Sequence, residues 1–319
     1  MFEIVIFDIL KMKYYQKEER NMSKVTAQTI TYIDHSRDDR PLKTTIWYPE
    51  NLDLDHASTY TGEKHPLVLM SHGSGSNRIS LAWLAIPLAR EGYIVASPDH
   101  YGNTFSEPLP EQFKRYWERP RDLSYLLSQL LQEYNPLIDQ EKIYGVGFSL
   151  GAYSVMAIAG VNVDQNLIKQ QEDETLPTDV VAQMPEFGKL TKKVVEAEPA
   201  EIPADLKDER FKKVVALSPA LGTGINSTQQ TKNVDIPVLI IAPGGDEIAP
   251  IEQNGRVYHK FLPQASYQEL PANVGHFIFL PAKKKYAAAD SFWYQDAPGV
   301  DRQQIQQETI TTVKKFLLS

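Results

Sequence analysis

Residues Ile143 to Tyr153 read IYGVGFSLGAY, and this stretch decides the fold. It holds the pattern G-x-S-x-G, with Ser149 between Gly147 and Gly151. The preceding KIYGVGF is typical of a buried strand, and the following LGAYSVMAIAG is small and apolar at helical spacing. A serine on the sharp turn between such a strand and helix projects its hydroxyl above the sheet, and flanking glycines let the two elements approach closely. This context favours Ser149 as a nucleophile over a serine that falls between two glycines by chance.

Composition excludes several classes of protein. The 319 residues suffice for one large domain or two small ones, and the formal net charge is -8. No basic stripe is present, so we expect no nucleic-acid partner, and the cluster Lys283-Lys284-Lys285 is interpreted as a solvated loop. No run approaches the 18 apolar residues of a membrane span. The absence of cysteine excludes disulfides, thiolate zinc sites and a cysteine nucleophile, and is compatible with the cytoplasmic location that we expect.

The first 21 residues differ from the rest of the chain. MFEIVIFDIL is apolar but carries Glu3 and Asp8, and it lacks the basic start and the cleavage site of a signal peptide. KMKYYQKEERN then leads to Met22, and its Lys-Glu-Glu can be encoded by a purine-rich run resembling a bacterial ribosome-binding site. We therefore expect Met22 to be the native start, with residues 1–21 a translated leader or a disordered extension.

Strand patterns alternate with helical patterns along the remaining chain. AQTITYID and LKTTIWYP flank the charged turn HSRDDRP and predict an antiparallel hairpin. Buried strands are then predicted at PLVLMSHG, YIVASPDHYG, KKVVALSPA and IPVLIIAPGG, and helices at RISLAWLAIPLAREGY and DLSYLLSQLLQEY. The C-terminal helix has a predicted apolar stripe of Ile305, Thr309, Val313 and Phe316. The alternation predicts one α/β domain at residues 22–319, with a mostly parallel central sheet and helices on both faces.

Two segments interrupt this rhythm. Residues 162–211 are polar, charged and proline-containing, and they are either a helical lid over the site or a surface excursion. Residues 104–119 carry Phe105, Phe113, Tyr116 and Trp117. These aromatic side chains either wall an acyl pocket or pin the loop to the core. Phe105 and Trp117 are our candidate substrate-binding residues.

A serine hydroxyl needs a base, and the base needs an acid that orients it. In the hydrolase arrangement these residues follow the serine in the chain, with the acid first and the histidine last. His259 and His276 are the two histidines after Ser149. His259 lies in the helical pattern RVYHKFL, whereas His276 lies in the loop NVGHFIFL directly after the strand-like SYQELP. His276 is therefore the predicted base.

The predicted acid is Asp246. It follows the buried strand IPVLIIAPGG in a glycine turn, where a carboxylate can reach His276. Glu247 is the adjacent alternative, and turn chemistry alone would also favour an aspartate after Gly-Gly. The other usual position for the acid follows the preceding strand, VVALSPALG, which offers Ser218 and no carboxylate. That absence favours Asp246.

The developing oxyanion needs preorganised N–H donors. One is predicted to be the backbone N–H of Leu150, the residue after the nucleophile. The second is predicted from the loop SHGSGSN, with Ser74 our choice and Gly73 or Gly75 as one-residue alternatives. His72, in the same loop, is interpreted as a residue that fixes the loop rather than as a second base.

Together these features resemble the α/β-hydrolase superfamily from about residue 25 to the C-terminus, apart from 162–211. Seven stretches resemble the bacterial predicted dienelactone hydrolases, which are related to the platelet-activating-factor acetylhydrolases. They are TIWYP, LMSHGSGSNR, GYIVASPDHYGNT, RPRDLSYLLSQL, GVGFSLGAY, VGHFIFL and DAPGVDR. The resemblance implies an esterase with Ser149 as nucleophile, His276 as base and an oxyanion hole at Ser74 and Leu150. Two departures stand out: dienelactone hydrolases proper use a cysteine, and the acetylhydrolases carry their acid where Ser218 stands.

The sequence therefore predicts a serine hydrolase that cleaves a small-molecule carboxylic ester through an acyl-enzyme, without a metal or organic cofactor. Three alternatives stay open: a serine peptidase, an acyltransferase, and a non-catalytic binding module of the same fold. The sequence carries no signal for acyl length, alcohol group or oligomeric state.

Overall fold

The computed structural model describes residues 24–104, 106–172, 203, 205–281 and 295–319. Within these residues the chain forms an eight-stranded sheet with the order β1-β2-β4-β3-β5-β6-β7-β8. The strands are β1 (Val25–Asp34), β2 (Arg40–Pro49), β3 (His65–Ser71), β4 (Ile94–Pro98), β5 (Ile138–Phe148), β6 (Lys213–Leu217), β7 (Val238–Pro243) and β8 (Ser266–Leu270). The predicted leader, residues 1–21, and the lysine cluster 283–285 lie outside the described residues.

The sheet is antiparallel at one edge and parallel elsewhere. β1 pairs with β2 from Val25↔Pro49 to Asp34↔Arg40, which confirms the predicted hairpin, and β2 pairs antiparallel with β4. The other neighbours, from β4 through β3 to β8, pair in parallel. Parallel strands are covered on both faces, and this is why the central ones read as continuous apolar runs.

Helices cover both faces of the sheet. They are α1 (Ala82–Arg90), α2 (Pro110–Lys114), α3 (Glu118–Tyr134), α4 (Leu150–Ile158), α5 (Gln165–Glu172), α6 (Gly255–Phe261) and α7 (Arg302–Leu318). Leu127 of α3 shares one apolar core with Leu69, whereas Leu88 of α1 and Val313 of α7 share the other with Met70. Leu69 and Met70 are consecutive in β3, so their side chains point to opposite faces. None of the described helices has the length and apolar character that a membrane crossing requires.

The buried stripe of α7 is rotated relative to the prediction. Thr309 and Val313 are buried as expected, but Ile305 and Phe316 lie at its half-buried margins. The buried positions are Arg302, Gln306, Thr309, Ile310, Val313 and Leu317. Gln306 and Arg302 are buried because their side chains donate to carbonyl groups of the 278–280 segment. Hydrophobicity alone could not reveal this use of polar side chains.

The segment 162–211 is described only at its two ends. Val163 and the α5 residue Ile168 are buried, and a methyl group on Gly224 would lie 2.9 Å from Cβ of Val163. The start of the segment therefore packs on the body of the protein. Most of the predicted lid, residues 173–202, lies outside the described residues, and the choice between lid and surface excursion stays a prediction.

β5, α4 and β3 cross at contact distance around the G-x-S-x-G motif. A methyl group on Gly147 would lie 2.0 Å from the carbonyl oxygen of Gly151. One on Gly151 would lie 2.0 Å from the carbonyl oxygen of Ser71. No side chain fits in either position, so both glycines are required for the strand–turn–helix geometry.

We expect Gly147→Ala to cost more than about 4 kcal/mol of the free energy of unfolding, because its methyl group meets backbone atoms that β5 and α4 both need in place. Gly275→Ala is the matched control, since the nearest atom to its new methyl group is the Gly245 carbonyl oxygen at 4.0 Å. Urea unfolding monitored by circular dichroism measures both. A Gly147→Ala protein with the wild-type midpoint would contradict the close crossing.

A buried charged cluster joins the carboxyl ends of β3 and β4 to α3. Asp122 of α3 accepts from Arg40, with Nε–Oδ1 at 2.6 Å and Nη2–Oδ2 at 3.0 Å. Nδ1 of His100 lies 2.9 Å from Oδ2 of Asp122, and Nε2 of His100 lies 2.9 Å from Oγ of Ser71. Ser71, His100 and Asp122 are fully buried. They form a Ser–His–Asp chain with no access to solvent.

Burial and charge set the protonation states in this cluster. Burial would raise the pKa of Asp122, but the Arg40 charge and the hydrogen bond from His100 outweigh it and hold that pKa well below its usual range. Burial, reinforced by the charge of Arg119, lowers the pKa of His100 from 6.5 to about 3. The same two causes lower the pKa of His72. Near pH 7, Asp122 is therefore ionised, and both His100 and the adjacent His72 are neutral.

The lowered pKa of His100 predicts acid sensitivity. Between about pH 6.5 and 3 this histidine is protonated in the unfolded chain but neutral in the folded protein. The free energy of unfolding therefore falls as the pH falls through this range. We expect a slope of up to about 1.4 kcal/mol per pH unit from each such histidine. Urea unfolding at pH 7, 6 and 5 gives the free energy of unfolding at each pH, and its dependence on pH should be shallower in His100→Gln than in wild type. His35→Gln controls for the loss of an exposed histidine, and equal slopes in His100→Gln and wild type would refute the assignment.

Candidate active site

Ser149 lies between β5 and α4 with an unusual backbone. Its φ is 56° and its ψ is -118°, a region that residues with a side chain rarely occupy. Hydrogen bonds hold it there: its N–H donates to Leu217 of β6 at 2.9 Å, and its carbonyl accepts from Ala152 at 2.9 Å. The side chain is directed out of the sheet at the carboxyl end of β5, and the residue retains 9% exposure.

An unbroken hydrogen-bond chain links Ser149, His276 and Asp246. Oγ of Ser149 lies 2.9 Å from Nε2 of His276, and Nδ1 of His276 lies 2.7 Å from Oδ2 of Asp246. A carboxylate on one nitrogen fixes the proton at Nδ1 and leaves Nε2 to accept from the serine. The structure thus brings together the three residues predicted as nucleophile, base and acid.

The turn after β7 orients Asp246 and leaves Glu247 outside. Oδ1 of Asp246 accepts from the backbone N–H groups of Ile248 at 3.0 Å and Ala249 at 2.7 Å. This frees Oδ2 for His276. Asp246 is buried, whereas Glu247 is exposed and has no contact with the histidine among the described hydrogen bonds.

His276 begins a short 3-10 helix, His276–Phe279, in the loop after β8. Aromatic rings flank the imidazole: Phe148 at 5.1 Å and Phe277 at 5.0 Å between centroids. The hydroxyl of Ser218, at the end of β6, donates to the His276 carbonyl at 3.4 Å. Ser218 itself has a φ of 45°. The end of β6 carries Ser218 in place of a carboxylate, and it therefore contacts the backbone of His276 and not the imidazole ring.

The predicted oxyanion donors lie on either side of the nucleophile. Leu150 is the first residue of α4, so its N–H has no partner within the helix. In the loop after β3, the N–H of Gly75 donates to Oδ1 of Asn103 at 3.1 Å. The N–H of Gly75, one of the two alternatives to Ser74 as an oxyanion donor, is therefore already hydrogen-bonded. A methyl group on Gly73 would lie 3.4 Å from Cβ of Ser149, so this loop passes directly beside the nucleophile.

The remaining residues named from the sequence are the two substrate-binding candidates and two further histidines. Trp117 is 2% exposed and packs edge-to-face on Tyr116 inside the core, so its role in a substrate pocket stays a prediction. Phe105 lies outside the described residues. His259 lies in α6 and stacks on Tyr267. The ring of His72 bonds to the Gly73 carbonyl at 2.7 Å and accepts from the backbone N–H of residue 100 at 3.1 Å, which ties the loop down.

Sequence reasoning missed Arg119 and Asn103, which hold the loop after β3. The available signal was the pattern of α3. Arg119 and Asp122 occupy the same helix face as the buried leucines at 123, 126 and 130. Charged residues on an apolar stripe indicate buried polar contacts rather than a solvated face. Among the described residues, no group of three or more His, Cys, Asp or Glu side chains is arranged to hold a metal ion.

Two dipeptidyl peptidases are similar to part of this chain. A probable dipeptidyl-peptidase 5 from Aspergillus clavatus is 29% identical over 121 residues, or 36% of this chain and 16% of that protein. Dipeptidyl-peptidase 5 from Porphyromonas gingivalis is 29% identical over 103 residues, or 31% of this chain and 15% of that protein. The matched segment thus spans about a sixth of either relative.

A solved structure and a family model match far more of the chain. The ferulic acid esterase from Streptomyces cinnamoneus superposes with a TM-score of 0.60 at 17% identity, over 93% of this chain and 90% of that one. At this identity the likeness concerns the fold. The model of the alpha/beta hydrolase family matches residues 67–289, from β3 to beyond His276. This match covers more than half of the chain, which therefore belongs to the alpha/beta hydrolase family.

Proposed function

We propose that this protein is a serine hydrolase that cleaves carboxylic esters through an acyl-enzyme. The observation that carries the proposal is the hydrogen-bond chain Ser149–His276–Asp246, with both links shorter than 3.0 Å. The strained backbone of Ser149 supports this proposal. Backbone strain of this kind persists only where neighbouring structure enforces it, and such positions cluster at active sites.

In the first step Oγ of Ser149 attacks the acyl carbon while Nε2 of His276 takes the hydroxyl proton. The new bond joins Oγ to carbon, and the carbonyl electron pair moves onto oxygen. The imidazolium that forms keeps its Nδ1–H on Oδ2 of Asp246, whose negative charge stabilises it. The turn that fixes Asp246 through two N–H groups limits reorganisation during this transfer.

The oxyanion is stabilised by backbone N–H groups at Leu150 and at Ser74 or its neighbour Gly73. The positive end of the α4 helix dipole, at Leu150, adds to this effect. Collapse of the tetrahedral species releases the alkoxide, which takes the proton from Nε2 of His276. Water then attacks the acyl-enzyme with His276 again as base, and the carboxylic acid leaves.

An ester is the substrate that the observations favour. An alkoxide leaves more readily than an amide nitrogen, so an ester asks less of this site than a peptide does. The fold neighbour named as a ferulic acid esterase and the stretches that resemble dienelactone hydrolases and platelet-activating-factor acetylhydrolases support the same choice. Within the family, we propose that the protein belongs with this dienelactone hydrolase-like group.

Peptide cleavage is the second candidate, because the two dipeptidyl peptidases share 29% identity with part of the chain. The same three residues would serve both reactions. A panel of p-nitrophenyl esters and dipeptidyl p-nitroanilides separates them. Turnover of the anilides at a kcat/KM comparable to that of the esters would favour the peptidase.

Ser149→Ala should abolish turnover of a short-chain p-nitrophenyl ester and leave the fold intact, because among the described residues the hydroxyl hydrogen-bonds to His276 alone. Labelling with a fluorophosphonate followed by peptide mapping should place the adduct on Ser149 in the wild type. Ser58→Ala, at an exposed position, is the control. A labelled residue other than Ser149, or no adduct on folded protein, would refute the assignment of the nucleophile.

Asp246→Asn should lower kcat by up to about 10⁴-fold, because an amide favours the wrong histidine tautomer. Glu247→Gln makes the same chemical change one position away, on an exposed side chain, and should leave kcat within about twofold of wild type. Steady-state kinetics at pH 7.5 compares them. The reverse ranking would move the acid to Glu247.

A further inference from the structure

One guanidinium holds both ends of the loop beside the nucleophile. Arg119, near the start of α3, donates from Nη2 to the carbonyl oxygen of His72. Its Nη1 donates to Oδ1 of Asn103 at 2.9 Å, and the same oxygen accepts the N–H of Gly75 at 3.1 Å. Arg119 thus grips the loop directly at His72 and through Asn103 at Gly75.

This grip determines which N–H groups remain available to a substrate. The N–H of Gly75 is bonded to Asn103, and that of Ser76 donates to the Gly73 carbonyl at 3.1 Å. Within the described part of the chain, no hydrogen bond occupies the N–H of Gly73 or Ser74. Among the described donors of this loop, these two can still be used by an oxyanion, in addition to the N–H of Leu150.

The His72 carbonyl also sets the direction of the next N–H. In a trans peptide the C=O and the N–H point in opposite directions. Drawing the carbonyl of His72 toward Arg119 therefore turns the N–H of Gly73 away from Arg119. A cation on the carbonyl oxygen also polarises the peptide group, and this strengthens the N–H as a donor.

Arg119 is an unusual buried cation. It is 1% exposed, and its hydrogen bonds go to the neutral oxygens of His72, Asn103, Ser71 and Ser154. Burial lowers its pKa, and the negative charge of Asp122, one turn along α3, opposes that effect. Because no carboxylate of the described residues bonds to it directly, its charge is not cancelled by them at the point where it meets the loop. A structural clamp alone would not require an uncancelled charge there.

We propose that Arg119 is a positioning residue, which orients and polarises the oxyanion-binding peptide groups at Gly73 and Ser74, with Asn103 as its relay to Gly75. The inference rests on the proposed hydrolase function. It assigns a role in the reaction to a side chain that touches neither the substrate nor Ser149. Arginine suits the role because its planar fork reaches two acceptors at once, whereas a lysine ammonium is a point donor.

Arg119→Lys and Asn103→Ala test the proposal. Deleting an oxyanion donor costs about 10²–10³ in kcat, so misplacing donors that remain should cost about 10- to 100-fold in Arg119→Lys, with KM within about threefold. Asn103→Ala should also lower kcat. Arg210→Lys is the matched control, because Arg210 also donates to a backbone carbonyl, that of Ser124 at 2.9 Å, and has no described hydrogen bond to the loop after β3 or to Ser149. Its kcat should stay within about twofold of wild type.

An alkyl trifluoromethyl ketone separates positioning from general damage. Oγ of Ser149 adds to its carbonyl carbon, the proton passes to His276, and the product carries the oxyanion. Its Ki should rise in Arg119→Lys and Asn103→Ala by the same factor that kcat/KM falls, as expected for an analogue of the transition state. Circular dichroism and urea midpoints check folding. If Arg119→Lys does not fold, Asn103→Ala carries the same test.

The outcomes are distinct. Wild-type kcat in a folded Arg119→Lys, or a lower kcat with an unchanged Ki, would overturn the positioning role and leave the hydrolase proposal standing. A wild-type protein that turns over no ester and binds no trifluoromethyl ketone would overturn both. Parallel changes in Ki and kcat/KM, absent from Arg210→Lys, would support the proposal.

Discussion

The backbone strain at Ser149 is the constraint on which the rest of the structure depends. A φ of 56° at a residue with a side chain is tolerated only where neighbouring elements hold it. Here Gly147 and Gly151 let β5, α4 and β3 meet at backbone contact distance, and β6 accepts the serine N–H. The same crossing places the first N–H of α4 and the loop after β3 on either side of the hydroxyl. A looser packing of these elements would lose the strain and the arrangement together.

Much of the fold and of the hydrogen-bond chain was predictable from local patterns. Continuous apolar runs mark parallel strands, and the G-x-S-x-G motif marks the turn at Ser149. Chain order and the flanking strands then select His276 and Asp246. The rotated stripe of α7 was not predictable, because Gln306 is buried by hydrogen bonds that depend on the distant 278–280 segment. The α3 pattern could have indicated that Arg119 is buried, but its partners at 72 and 103 come close to it only once the sheet has formed.

Within the part of the chain that the structure describes, two Ser–His–Asp chains have different surroundings. Ser149, His276 and Asp246 retain slight exposure, whereas Ser71, His100 and Asp122 have none. In the buried chain the serine has no strained turn and the carboxylate is bound by Arg40. The two chains thus have the same residue types and the same hydrogen-bond order. Solvent exposure and the backbone geometry of the serine distinguish the candidate reactive site from the buried structural cluster. Arg119 lies between the two, since it bonds to Ser71 and to the loop beside Ser149.

The distances along the chain have a consequence for how the protein folds. Ser149 and His276 are 127 residues apart, and the parallel strands β6, β7 and β8 lie between them in the chain. Parallel pairing joins segments that are remote in sequence, so loop-closure entropy is lost before the contacts that compensate for it are gained. Because His276 follows β8, the serine–histidine hydrogen bond needs the chain to be ordered through that strand. We therefore expect it to form late in folding, so that partly folded chains carry a serine without its histidine partner.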